Sequence, residues 1–345
     1  SVAIVGLAND QAWPFLTELR NCSDATLVAI VETNRDLIAR YQRHFDLDPG
    51  LFVADFETMR RKTRPQAAAV FGPTIDHRAV VEDCAAHGMD VLLEKPLAVN
   101  LAEAKRLAAA AKKGAIEVIV DYETTWFPGY QTAYELVHNR RVIGAMHKVV
   151  VRAGHRGPKE IGCSSEFLEW LTDPSKSGGG ALIDFGCYGA DVLTWLMDGE
   201  RPNSVMAATQ QIKPTVYPNV EDEATVVLEY PGMHAVIEAS WNWPYELREL
   251  QVFGSDGYVL VPQSDVVRMR KTGAPESQIQ MLVPPKAQGA SDDLSYLLSV
   301  VRRQIRPTGM SSLDLNLTVM EIMDAARESA RTGRRIELKA VAAHD

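Results

Sequence analysis

Short, nearly unbroken apolar runs alternate with amphipathic stretches through the first third of the chain. Val2–Val5 and residues 26–31, 67–71, 91–93 and 116–120 carry few polar side chains, as strands covered on both faces do. Between them, Arg35–Phe45 and residues 101–113 have helical composition, with Asn34 and Asn100 placed to cap them. Strand, helix and strand in repetition predict a doubly wound parallel sheet with right-handed crossovers, a Rossmann arrangement.

The rhythm changes near residue 120. Helices are expected over 126–140 and 181–197, among strands at 145–153, 204–212, 224–229, 234–243 and 249–253. Short turns at 230–233 and 254–257 join neighbouring strands, which predicts a mainly antiparallel sheet. Ala235, Ile237, Ala239 and Trp241 alternate with His234, Glu238, Ser240 and Asn242, giving one strand an inward and an outward face. A last helix, Leu313–Thr332, stops at Gly333 before a strand at 335–338. The expected class is α/β, in two domains. Residues 1–120 form a Rossmann dinucleotide-binding domain. Residues 121–345 form an α+β domain for substrate binding and oligomerisation, with a large open sheet and its last helix free to pack back on the first domain.

A length of 345 residues favours two cores over one. The net charge of −9 is offset by no long basic stripe, which argues against a nucleic-acid partner. No segment reaches the about 18 apolar residues of a membrane span. The given sequence starts on a strand-like run without a signal-peptide pattern, so a cytoplasmic location is expected. Cys22, Cys84, Cys163 and Cys187 lie far apart, as reduced thiols would, and no His, Cys or Asp spacing suggests a metal.

The first strand runs into Gly6-Leu7-Ala8-Asn9-Asp10-Gln11. In the register of a dinucleotide fingerprint, Gly6 is present while Ala8 and Gln11 replace the second and third glycines. Asp10 would repel a pyrophosphate and is expected to point away. Glu32 ends the second strand, where a carboxylate accepts from ribose hydroxyls and repels a 2′-phosphate, favouring NAD; Arg35 leaves NADP open. The plainer alternatives are a ligand-free turn at Gly6 and a solvated strand end at Glu32.

Val91-Leu92-Leu93-Glu94-Lys95-Pro96-Leu97 delivers an acid and a base at the carboxyl end of a buried strand, the edge where open α/β sheets bind ligands. Pro96 restricts Lys95 to extended backbone and admits a cis bond. A solvated rim ion pair is the alternative. Glu94-Lys95-Pro96 resembles the EKP motif of the glucose–fructose oxidoreductase/inositol dehydrogenase (Gfo/Idh/MocA) family. The resemblance continues through Gly72-Pro73-Thr74-Ile75-Asp76-His77, residues 121–128 and the Gly178-Gly179-Gly180 segment leading to Asp191, and extends to residues 329–335.

The resemblance implies an NAD(P)-dependent oxidoreductase acting on CH–OH groups. Implied cofactor contacts are Gly6, Leu7, Ala8, Asn9, Glu32, Thr33, Gly72, Pro73, Thr74, His77, Glu94, Lys95 and Glu123. Lys95, Asp184 and Tyr188 are the implied catalytic residues and also touch substrate. Many members carry His where this chain has Tyr188, and tyrosine there is similar to the glucose–fructose oxidoreductase and dihydrodiol dehydrogenase branches. Glu123 and Thr125 depart from the family's usual amide and arginine.

The chemistry can be reasoned from the side chains. Oxidising a secondary alcohol removes a proton and a hydride together. A phenol ionises near pH 10 in isolation, and a neighbouring cation favours the phenolate. Tyr188 is therefore the expected acid/base, Lys95 its electrostatic partner, Glu94 an orienting group and Asp184 a ligand for a substrate hydroxyl. Spacing of four residues puts Asp184 and Tyr188 on one helix face. An ordinary core aromatic and a helix cap are the respective alternatives. His155 and Arg156, on a loop leaving a strand, are candidates to reach a polyhydroxylated or acidic ligand, or else are solvated. Trp126 and Trp170 are candidate sugar platforms, or else core. The expected substrate is a sugar, polyol or related cyclic alcohol. A trans-dihydrodiol dehydrogenase-like enzyme and a non-catalytic dinucleotide-binding sensor are the competing functions. The open sheet face predicts a homodimer or homotetramer.

Overall fold

The computed structural model describes residues 1–273, 278–284 and 292–338; the C-terminal end of the expected second domain, 339–345, lies outside the described residues. The chain begins with β1 (Val2–Val5), α1 (Ala12–Asn21), β2 (Leu27–Val31), α2 (Arg35–Phe45), β3 (Phe52–Val53), α3 (Phe56–Thr63), β4 (Ala67–Val70), α4 (His77–Ala85), β5 (Asp90–Glu94), α5 (Leu101–Gly114) and β6 (Val118–Asp121). It continues through α6 (Pro128–Tyr134), β7 (Met146–Gly154), α7 (Ser165–Leu171), α8 (Pro174–Ser177), α9 (Ala181–Asp184) and α10 (Gly186–Leu196). Six further strands follow: β8 (Ser204–Gln210), β9 (Glu223–Tyr230), β10 (Met233–Ser240), β11 (Leu247–Gly254), β12 (Gly257–Gln263) and β13 (Val266–Lys271). The described chain closes with β14 (Ile279–Leu282), α11 (Asp293–Val301), α12 (Leu313–Thr332) and β15 (Ile336–Glu337).

Two compact units emerge, each discontinuous in sequence. The first combines Ser1–Asp121 with Cys163–Gly178 and the described residues 292–313. Its sheet is wholly parallel, in the order β3-β2-β1-β4-β5-β6, so strand order reverses between β1 and β4. Every residue of β4 and β5 is buried, as their continuous apolar runs require. Asn34 and Asn100 cap α2 and α5 as expected, accepting from the first-turn N–H groups of Asp36 and Leu37 and of Glu103. Helix α1 has little sequence signal because Pro14 interrupts its pattern; the proline sits in the first turn, where its missing N–H has no intrahelical use. Helix α4 starts at His77, which is 1% exposed, with Nδ1 3.3 Å from the Leu97 carbonyl.

The second unit holds Tyr122–Gly162 and the described residues of 179–284 and 314–338. Nine strands run in the order β14-β13-β12-β11-β7-β10-β9-β8-β15. All pairs are antiparallel except β7 with β10. Both expected turns form hairpins, β9–β10 and β11–β12. Ala235, Ile237, Ala239 and Trp241 are all fully buried, the inward face read from their alternation. Strands β12 to β14 extend the sheet beyond the expected set.

Two expected helices differ. The one at 126–140 is a 3₁₀ turn (Glu123–Trp126), α6 begun afresh by Pro128 at its first position, and a π turn (Glu135–Asn139). The one at 181–197 is divided at Phe185 (φ −108°, ψ −29°), so Asp184 ends α9 while Tyr188 belongs to α10. They do not share one continuous helical face. Helix α10 lies against β10 through Gly189, where a Cβ would stand 2.4 Å from Ile237 Cγ2.

Two stability predictions follow from these contacts. Gly189→Ala should destabilise the fold by on the order of 1–2 kcal/mol, the helix-propensity gain being outweighed by overpacking. An unchanged denaturant midpoint would mean that α10 stands clear of the sheet. Burial lowers His77 from 6.5 to about 4. A neutral His77 therefore contributes stability that is complete above its unfolded value and lost as pH falls through this window. Relative to His77→Gln, the wild type should lose about 3 kcal/mol between those limits, measured by urea unfolding.

Candidate functional site

At the carboxyl ends of β1 and β4 the backbone closes tightly. Gly6 adopts φ +80°, and a Cβ there would lie 2.8 Å from both Cα and N of Gly72. Only glycine meets both demands. Beside this contact, Thr74 is 2% exposed and its Oγ1 has no hydrogen-bond partner among the described residues. Leu7, Ala8 and Asn9 follow Gly6 in the β1–α1 loop, and Pro73 precedes the short 3₁₀ turn Thr74–Asp76. Glu32 leaves β2 with Oε2 accepting from Leu7 N (3.0 Å) and Oε1 from Thr33 N and Asn34 N (2.8 Å each). Its carboxylate is thus fixed to the loop rather than being a loose strand end. Glu94, 6% exposed, and Lys95 come off β5 at the same edge, with the Lys95–Pro96 bond cis.

The loop is held from further along the chain. Asp10, expected to avoid a pyrophosphate, turns its Oδ2 to accept from Ser164 N at 2.9 Å. Trp170 is 4% exposed and donates from Nε1 to the Ala8 carbonyl at 3.0 Å, with Phe167 edge-on at 5.1 Å. The expected sugar platform at Trp170 is corrected accordingly: its ring is buried and its polar edge supports the β1–α1 loop.

The other expected residues gather in the second unit. Asp184 is 7% exposed, and its Oδ2 accepts from Trp241 Nε1 at 2.9 Å. Tyr188 lies in a stack of rings: Phe185 at 6.1 Å, Tyr122 edge-on at 5.4 Å, and His155 edge-on to Phe185 at 4.7 Å. His155 Nδ1 accepts from Gly157 N at 2.9 Å, which leaves the ring proton on Nε2. Trp126 ends its 3₁₀ turn half-buried, whereas Arg156 is exposed and offers its carbonyl to Lys213 Nζ at 2.6 Å. Glu123, expected at the cofactor, belongs to this unit, is 55% exposed and approaches Arg248 Nη2 at 3.7 Å.

Arg248 and Trp241 are the site residues that motif reading passes over. Both had a visible signal. Trp241 continues the inward alternation of β10, and Arg248 shares inward parity with Leu250 and Val252, a charged residue where the sheet demands an apolar one. Its guanidinium lies 4.6 Å from the Phe185 ring centre and 5.0 Å from that of Tyr188. One acidic group also escaped notice. Glu18, Asp292 and Asp293 bring carboxylate oxygens within 4.8 Å of one another. Burial, then neighbouring acids, push Asp293 up to about 8 and Glu18 to about 7, so the group holds protons near neutrality.

Comparison with known proteins agrees with this architecture. Residues 1–122 match the oxidoreductase family, NAD-binding Rossmann fold, and residues 130–260 match the GFO/IDH/MocA C-terminal domain. Trans-1,2-dihydrobenzene-1,2-diol dehydrogenase of Xenopus laevis is 26% identical over 263 residues, 73% of this chain and 74% of the relative. Among solved structures, the aldose-aldose oxidoreductase of Caulobacter crescentus complexed with glycerol superimposes with a TM-score of 0.82 at 23% identity, covering 98% of this chain and 99% of that one. GenD2 from gentamicin A biosynthesis, in complex with NAD, gives 0.80 at 23% identity, covering 98% and 96%. This chain is therefore an NAD-binding oxidoreductase of the Gfo/Idh/MocA family.

Proposed function

We infer that the enzyme interconverts a secondary alcohol and its ketone on a sugar, polyol or related cyclic substrate, with Tyr188 as acid/base. The observation that carries this reading is the pairing, in one unit, of a carboxylate fixed by Trp241 with a tyrosine ring stacked beneath Arg248. An aromatic that served only as packing would have no need of a buried cation above it.

The dinucleotide edge fits NAD. Gly6 and Gly72 keep side chains out of the strand-order reversal, Thr74 keeps a hydroxyl without a partner beside it, and Asp10 withdraws its charge to Ser164. In this reading Gly6 to Asn9, Gly72 to Thr74, Glu32 and Thr33 hold the dinucleotide, with His77 bracing the turn. The chemistry NAD supplies when bound is acceptance of a hydride from the substrate carbon. The ionised phenol of Tyr188 takes the hydroxyl proton in oxidation and returns it in reduction. Lys95 contributes positive charge to the developing alkoxide, and Glu94 orients Lys95. Asp184, held by Trp241, accepts from a neighbouring substrate hydroxyl, while His155 and Trp126 contribute to binding. A second reading, a vicinal trans-diol of a cyclic non-sugar substrate, is favoured by the name of the Xenopus laevis relative. The open face of the nine-stranded sheet, which exposes Val227 and Met206, is the surface through which we expect two copies to associate.

Three measurements test this function. Tyr188→Phe should lower kcat roughly 10²- to 10⁴-fold while leaving dinucleotide affinity unchanged; near wild-type turnover would remove Tyr188 from the reaction. In fluorescence titration NADH should bind more than about tenfold tighter than NADPH, because the fixed Glu32 carboxylate repels a 2′-phosphate; the reverse order would overturn that role for Glu32. A turnover screen of aldoses, polyols and cyclic trans-diols separates the two substrate readings by which class gives the higher kcat/KM.

A further inference from the structure

Arg248 is an expensive residue in a strand. Its side chain is 10% exposed, and its Nε is buried with no hydrogen-bond partner. Among the described residues Nη1 donates only to the adjacent Leu247 carbonyl, at 3.0 Å. Its acid neighbours through Nη2, Glu246 at 3.2 Å and Glu123 at 3.7 Å, are 61% and 55% exposed and lie at the solvent side. Surface carboxylates screened by water offset only part of the cost of burying a guanidinium. The strand makes room for it, since its register partner on β7 is Ala153, fully buried and small. What the buried charge does face is aromatic: the Phe185 and Tyr188 rings, at 4.6 and 5.0 Å.

We propose that Arg248 is a positioning residue for Tyr188, holding its ring by cation–π contact and favouring its ionised form. This rests on the reading of Tyr188 as the acid/base. On ionisation the O–H bond breaks, the proton leaves to solvent and the electron pair stays on the phenol oxygen of the ring whose centre lies 5.0 Å from the guanidinium. Within this unit the titratable and charged groups around the pair come from several elements. Cys187 and Asp191 belong to α10, and Asp184 ends α9. Tyr122 and Glu123 follow β6, Tyr130 lies on α6, Glu246 and Glu249 flank Arg248, and His155 reaches Phe185. Burial raises Asp191 well above the usual carboxylate range and pushes the Tyr122 phenol up, driving both toward their neutral forms. The remaining acids oppose ionisation, and Arg248 is the cation among the groups named. Burial alone would weaken the guanidinium's hold on its proton, but Tyr188, Glu123, Glu246 and Asp184 outweigh it and raise Arg248.

The test reads ionisation without turnover. The phenolate absorbance of the Tyr188 side chain is obtained as wild type minus Tyr188→Phe, and again as Arg248→Met minus the double variant. Loss of the guanidinium should move the midpoint up by about one to two pH units. The rising limb of the oxidation rate against pH should move by the same amount. Arg248→Lys, which keeps the charge without the planar stack, should lie between. A midpoint in folded Arg248→Met equal to that of the wild type overturns the proposal, as does an Arg248→Lys midpoint no lower than that of Arg248→Met. Full activity in Tyr188→Phe would instead bring down the acid/base reading, which the absorbance titration does not need.

Discussion

The nucleotide-binding half of the molecule depends on one backbone contact, that of Gly6 against Gly72. The polypeptide can turn out of β1 with a positive φ and still lie against the end of β4 only because Gly6 carries no Cβ, which would press on the Gly72 backbone; Gly72 itself is under no such demand, since a Cβ there would meet nothing within 4 Å. The strand order reverses at this point, the place where open α/β sheets bind their ligands. Glu32 then ties the turn to the end of β2 through three backbone N–H groups, and Trp170 ties it to α7. The two missing fingerprint glycines matter less in this setting. A loop held from both sides keeps its path without the freedom that Ala8 and Gln11 give up.

The second unit organises itself differently, around polar groups that have been drawn into its core. Every residue of α10 from Gly186 to Thr194 is buried, including Asp191, whose two oxygens have no hydrogen-bond partner among the described residues. Asp184 is satisfied by an indole and Arg248 largely by aromatic faces. Such groups cost a core stability unless they are paired or hydrogen-bonded, and their retention is a mark of functional sites; they lie around the one tyrosine that the sequence pattern singles out.

How legible this was depended on the period and the neighbours of each element. The parallel strands read clearly because both faces are covered and the apolar runs are unbroken; β10 reads clearly because its alternation is clean from Met233 to Ala239, and it breaks only at Ser240, a polar residue that is buried as well. Helices carrying proline or glycine near a terminus, α1 and α10, were blurred or joined because local propensity speaks against what tertiary packing enforces. Among site residues, Glu94, Lys95, Asp184 and Tyr188 stood in motifs. Trp170 looked like a platform because a lone tryptophan in sequence carries no sign of which backbone carbonyl it will meet. Arg248 belongs to no motif, and only its parity on β11 betrays it. Contacts between segments far apart in the chain, such as Asp10 with Ser164, leave no periodic trace at all.

That last class of contact bears on how the protein is made. The dinucleotide loop is braced by residues 163–178, and the first unit also includes residues 292–313, with Arg303 paired to Asp90 at 2.8 Å. Domains usually mature in the order in which the ribosome releases them. Here the N-terminal sheet emerges early but waits for α7 and then α11, delivered after most of the second unit. Synthesis must therefore pass residue 313 before the first unit is complete, and a product cut short of α7 would retain the strands while lacking the braces of its nucleotide edge.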